Sequence, residues 1–96
     1  MLLTRALAAS AAAAGCDLTV TWAEWKGWAS ATFTGARHVL TLAGTDGEAA
    51  RAWLGALAEL ELAVRGHVVA DVVVTAVARA DGRVTAGVEV LTVEGV

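Results

Sequence analysis

The chain has 96 residues, a size that suits one domain and excludes two. Hydrophobic residues make up 57% and charged residues 18%, against roughly 45 to 50% and about 25% in an average domain, which excludes intrinsic disorder. A net charge of −3 with no cluster of Lys or Arg excludes a phosphate-tracking surface, so no nucleic-acid partner is expected.

The apolar excess is mostly small: 23 Ala and 14 Val stand beside four Trp and one Phe. A thin core in so short a chain favours oligomerisation. Cys16 is the only cysteine and has no internal disulfide partner. No apolar run reaches the ~18 residues of a membrane span, so no membrane contact is expected and the protein reads as cytoplasmic. Abundant Ala, Val, Gly and Arg with scarce Lys, Asn, Ile and Tyr fits a GC-rich bacterial coding sequence, and the absence of Pro runs against it.

In chain order, Leu3, Ala6 and Leu7 recur at helical spacing and predict a helix over Leu2 to Ala14, capped by Gly15. Ala13-Ala14-Gly15-Cys16 has a faint likeness to a lipoprotein cleavage site. The residue three before the cysteine is Ala, however, and Arg5 is the only basic residue upstream, so the segment reads as the first helix. Alternation of Leu18, Val20 and Trp22 with Thr19 and Thr21 predicts a strand over Asp17 to Ala23. Glu24-Trp25-Lys26-Gly27 reads as a turn, and a second strand is expected from about Ala29 to Ala43, with a bulge near Gly35-Ala36.

Thr45 and Glu48 have the spacing of a capping box, opening a helix predicted to run to about Arg65 with Ala50, Trp53, Leu54, Leu57, Leu60 and Val64 on one stripe. Two strands follow, His67 to Ala80 and Arg83 to Val93. A two-residue Asp81-Gly82 turn would pair Ala78 with Thr85 and Ala76 with Gly87 and mix the faces. A type I turn with Gly82 as a left-handed bulge instead pairs Arg79 with Arg83 and sorts them, and is the reading preferred. It places Val72, Val74, Ala76, Ala78, Val84, Ala86, Val88 and Val90 toward the helices. Asp71, Val73, Thr75, Val77, Arg79, Thr85 and Glu89 then lie on the other side.

Offsetting the chain by 51 residues lays Leu3 on Leu54, Gly15 on Gly66, Val39-Leu40-Thr41 on Val90-Leu91-Thr92 and Gly44 on Gly95. The reading is one α+β domain with an internal αββ repeat, 1–45 and 46–96. Two such units give αββαββ, a permuted ferredoxin-like two-layer sandwich. Its four-stranded antiparallel sheet carries both helices on one face, with the second and fourth strands central.

Chemistry-bearing motifs are sparse. Cys16, Asp17, His38, His67 and Asp71 lack any metal-ligand spacing, Ser10, Ser30 and Cys16 lack a nucleophile signature, and Gly44, Gly47 and Gly55 form no phosphate loop. No catalytic residue, metal or cofactor is assigned. The 51-residue offset lays His38 on Glu89, which suggests a polar pair on the central strands.

Trp22, Trp25 and Trp28 recur every third residue, and alternation cannot bury all three on the helix side. At least one indole is expected at the hairpin tip or on the open face as a partner anchor, and Val73, Val77, Leu91 and Val93 leave the helix-free face too apolar for a bare sheet. The expected function is therefore a non-enzymatic interaction or assembly module: a homo-oligomer, a dimer first, with a protein partner also possible. The alternative is a small-molecule binding protein or small enzyme with a pocket among Ala29, Ala31, Gly35, Ala76 and Gly87. The layout of helix, hairpin, helix beginning Glu48-Ala49-Ala50, and hairpin ending in Val90-Leu91-Thr92 resembles small phage tail-completion proteins. That resemblance implies a ring subunit and carries over no functional residue.

Overall fold

A computed structural model describes residues 2–62 and 64–94. The order is αββαββ: α1 Leu2–Ala13, β1 Thr19–Ala29, β2 Thr34–Thr45, α2 Glu48–Ala56 with a 3-10 turn Leu57–Glu59, β3 His67–Ala80 and β4 Arg83–Glu94. The strands form one antiparallel sheet ordered β1-β2-β4-β3, so β2 and β4 are central as expected. The whole is an α+β two-layer sandwich.

Leu3, Leu7 and Ala11 are buried at intervals of four, which puts them on one face of α1. The helix ends in a Schellman motif: Gly15 takes φ +83°, the Cys16 N–H donates to the Ala11 carbonyl (3.0 Å), and the Gly15 N–H donates to that of Ala12 (3.0 Å). The segment that offered a lipoprotein reading is thus the end of α1, with Ala13 to Gly15 exposed and Cys16 packed against the core.

The α2 start differs from expectation. Gly47 is its N-cap and gives no side-chain cap; Thr45 is the last residue of β2, and its hydroxyl donates to Asp17 (2.7 Å). The helix also stops earlier than Arg65. Leu60 is extended (φ −76°, ψ 139°), and Leu60, Leu62 and Val64 all pack on the core. Leu60 and Val64 satisfy both a helical spacing and a period of two, but only the extended form also brings in Leu62.

The first hairpin turns elsewhere than predicted, and the second turns where predicted but in another register. In the first, β1 continues through Trp25 to Ala29, and the turn is Ser30 to Phe33. The Ser30 N–H donates to the Phe33 carbonyl (2.8 Å), and the Phe33 N–H donates to Ser30 Oγ (3.1 Å). The bulge is in β1, between Val20 and Trp22, instead of at Gly35-Ala36. In the second, Asp81 (φ 54°) and Gly82 (φ 74°) form a two-residue turn of the primed type that suits a twisted hairpin, and Ala80 pairs with Arg83.

The mixed faces implied by that register are sorted inside β3, by bulges between Val69 and Asp71 and between Val74 and Ala76. Gly87 makes room for the second: a Cβ there would lie 2.8 Å from Thr75 Oγ1. Ala76 and Ala78 consequently share the open face with their partners Gly87 and Thr85. Val77 and Arg79, paired with buried Ala86 and Val84, lie on the helix side.

Leu18, Leu40, Leu42, Val72, Val84, Ala86, Val88 and Val90 meet the helices in the core with Trp53, Leu54 and Leu57. The molecule measures 47 × 21 × 20 Å. A 12-residue helix such as α1 spans only about 18 Å, so much of the sheet length has no helix over it. From Thr21 to Thr34 every residue except Trp28 is exposed.

Gly15 and Gly66 share a left-handed conformation, φ +83° and +82°. The odd offset does not keep faces together in the central strands, where Leu40 is buried under the helices and Leu91 lies opposite. The match of Gly44 to Gly95 lies outside the described residues.

Candidate functional site

Strand pairing fixes what the helix-free face presents, because residues opposite one another share a face. The register gives four rows across β1, β2, β4 and β3: Trp22-Thr41-Gly87-Ala76, Glu24-Val39-Glu89-Val73, Lys26-Arg37-Leu91-Asp71 and Trp28-Gly35-Val93-Val68. Trp22, Val68 and Val73 are exposed, at 50%, 59% and 44%, and Val39, Leu91 and Val93 are half-buried. This is a broad apolar surface crossed by two charged rows. Among the described residues the salt bridges all involve Asp46, so the acids and bases of this face are unpaired.

Of the residues singled out from sequence, Trp22, Trp28, Val73, Leu91 and Val93 fall on this face. Val77 does not, because the bulge before Ala76 reverses its side. Val39 and Val68 join it; the ambiguous parity of the second strand hid Val39, and the first β3 bulge hid Val68.

Trp28 lies across Gly35. A Cβ on Gly35 would come within 2.8 Å of the indole and would collide with the Thr92 carbonyl oxygen. The aromatic ring therefore covers the backbone that glycine leaves bare. Trp25 is mid-strand, on the helix-side face opposite His38, and remains 62% exposed because it lies beyond the helices.

His38 and Glu89 do not pair. His38 is buried beneath the helices opposite Val90, and Glu89 is opposite Val39 on the other face. The partner of His38 is Thr92. His38 Nε2 hydrogen-bonds with Thr92 Oγ1 (3.2 Å), which also lies 3.3 Å from the Ala36 carbonyl oxygen, and Nδ1 is buried without a partner. Burial, then the charge of His67, holds the His38 pKa below the ordinary 6.5.

His38 and Thr92 join Leu3, Trp25, Gly35 and Val64 in lining a cleft of about 430 Å³. It is not the pocket expected from small residues. Gly35 alone belongs to both; Ala29 and Ala31 are exposed at the hairpin end, and Ala76 and Gly87 lie on the open face. Among the described residues, no three His, Cys, Asp or Glu side chains converge on a metal-sized space, and no helix is long and apolar enough to cross a membrane.

At the opposite end, Asp17 accepts from the backbone N–H and the hydroxyl of Thr45 (2.8 and 2.7 Å), which lowers its pKa. Asp46 accepts from Arg51 (3.1 Å) and Arg79 (3.2 Å), and the hydrogen bond from Arg51 lowers its pKa most. These contacts tie the loops at this end to β2, α2 and β3.

Comparison with protein families, curated proteins and solved structures finds no match for this chain.

Proposed function

We propose that this protein is a non-enzymatic assembly module that binds further copies of itself through its open sheet face and tryptophan hairpin. The observation that carries the reading is the contrast between the two sides of one sheet. The helices cover the central part of one side, while the other side has no helix and presents Trp22, Val39, Val68, Val73, Leu91 and Val93. Contiguous apolar surface of that kind on a small domain marks an interaction site, and the unpaired acids and bases within it supply both signs of charge to a self-complementary contact. The ring assembly implied by the tail-completion resemblance is one form of the same reading. Size-exclusion chromatography with light scattering tests it: a dimer or larger species is expected, and a clean monomer at tens of micromolar would overturn it.

A second reading, a small-molecule site, is favoured by the cleft at His38, whose volume falls in the range of ligand pockets. A thermal-shift screen supports it if one chemical class stabilises the wild type and Ala36→Leu, which enlarges a residue lining the same cleft, removes the effect.

A further inference from the structure

β1 is an edge strand, and an edge with free N–H and C=O groups is a template for another strand. The two edges of this sheet differ. β3 is broken by two bulges and carries Asp71, devices that discourage pairing, whereas β1 runs without irregularity from Trp22 to Ala29. The groups β1 offers follow from its ladder. The Ser30 N–H donates inward to Phe33, so by antiparallel alternation Trp28, Lys26 and Glu24 also turn inward, and Ala23, Trp25 and Gly27 turn their backbone N–H and C=O to the free edge.

The sequence of this segment is self-complementary. Trp22-Ala23-Glu24-Trp25-Lys26-Gly27-Trp28 reads outward from Trp25 as charges of opposite sign, then two small residues, then two tryptophans. A two-fold axis between antiparallel strands can pass through a hydrogen-bonded or a non-hydrogen-bonded pair. An axis at Glu24 or at Lys26 would set like charges directly opposite one another, which leaves the outward-facing Ala23, Trp25 or Gly27. Centring on Ala23 sets Trp22 opposite Glu24, and centring on Gly27 sets Lys26 opposite Trp28. Only Trp25 sets Glu24 against Lys26 and Trp22 against Trp28.

We infer that two copies join edge to edge, β1 antiparallel to β1 and centred on Trp25, to make one continuous eight-stranded sheet. In this register Trp25 meets its own copy and Ala23 meets the second copy's Gly27 as hydrogen-bonded pairs. The small residues give the two Trp25 indoles room on the helix side. On the open face, Glu24–Lys26 and Trp22–Trp28 pairs form twice by symmetry, cross-strand combinations that stabilise a sheet. The closed two-fold contact consumes both β1 edges. The inference rests on the self-association reading above and specifies its first contact.

Cysteine cross-linking tests the register in a Cys16→Ser background. Glu24→Cys mixed with Lys26→Cys should give a disulfide-linked dimer under mild oxidation, and either variant alone should give little. Sheets stacked face to face lie about 10 Å apart, beyond the ~4.4 to 6.8 Å Cα spacing that a disulfide spans. In parallel, Glu24→Lys should weaken association about tenfold, because symmetry converts two attractive pairs to repulsive ones at once, and adding Lys26→Glu should restore it. A wild-type monomer would remove the self-association reading itself. A wild-type dimer with no mixed cross-link, and with Glu24→Lys at full affinity, would overturn the edge register alone.

Discussion

Trp53 Nε1 donates a 2.9 Å hydrogen bond to Ser10 Oγ, joining α2 to α1 across 43 residues of chain. The indole is only 4% exposed and packs in the core beneath that bond. Trp53→Phe keeps most of the bulk and loses the donor, so a loss of about 1 kcal/mol is expected. Trp53→Ala should cost about 3 to 5 kcal/mol, a large part of the total for a small domain. Urea unfolding of both variants checks the order, and equal losses would show that the hydrogen bond, not the packing, dominates.

Two glycines should respond in opposite senses to Ala. Gly35 has no space for a Cβ between the Trp28 indole and the Thr92 carbonyl oxygen, and the latter is fixed in the β2–β4 ladder. Gly35→Ala should destabilise by about 1 to 3 kcal/mol, as overpacking does. Gly55, in α2, has nothing within 4 Å of an added Cβ. Gly55→Ala should stabilise by about 0.5 to 1 kcal/mol through helix propensity. Thermal melts of the two variants should move apart from the wild type in opposite directions.

Acid should act through Asp17 and Asp46. Hydrogen bonds from Thr45 hold the first below the ordinary 3.8, and those from Arg51 hold the second there. A carboxyl with a depressed folded-state pKa contributes stability above its unfolded value, and this is lost as pH falls through the folded value. Asp17→Ala should therefore lower the unfolding midpoint at pH 6, with the gap from wild type closing below about pH 4. A gap that persists at pH 2 would show that the Thr45 contacts do not depend on the charge.

The elements that sequence revealed were those with one dominant local signal. Leu3 and Leu7 at helical spacing, Gly15 as a cap, and alternation through Val84, Ala86, Val88 and Val90 gave both helices, four strands and their order. Register was less legible because it depends on single extra residues. Nothing marks Thr21 or Thr75 as bulged, yet each reverses the facing of the residues beyond it, which is why Val77 changed sides. Parity also separates His38 from Glu89, since an odd sequence offset exchanges the two faces of a strand. The first turn was misplaced for a chemical reason: Gly27 resembles a turn residue, whereas Ser30 to Phe33 contains no glycine and closes through the Ser30 hydroxyl. The candidate surface was therefore visible in composition and in the tryptophan spacing, but its edge pairing needed the ladder.

His38 should give a second pH-dependent limb. Its folded pKa lies below 6.5 through burial first and His67 second, so as pH falls below 6.5 the unfolded chain takes up the proton before the folded one does. Stability should be constant above about pH 7.5 and should fall as pH drops from 6.5 toward the folded value. His38→Leu should flatten this limb. Urea midpoints at pH 8 and pH 5.5 measure it, and an unchanged slope in the variant would show that the effect does not come from His38.

Trp25 gives the sharpest separation of folding from assembly. It is 62% exposed and sits beyond the helices, so little of its area is buried within the monomer. Trp25→Ala should leave stability within about 1 kcal/mol of wild type, as ordinary surface changes do. In the edge-paired dimer the same indole lies on the two-fold axis against its own copy, so each dimer loses two rings together. Association should weaken by about 2 kcal/mol or more, the cost of removing an interface anchor and roughly a thirtyfold rise in Kd. Trp28→Ala is the internal contrast, because that indole covers Gly35 within the monomer, and its loss should register in the melt as well as in association. A large stability loss for Trp25→Ala with dimerisation intact would place Trp25 in the service of the fold and remove the hairpin from the interface.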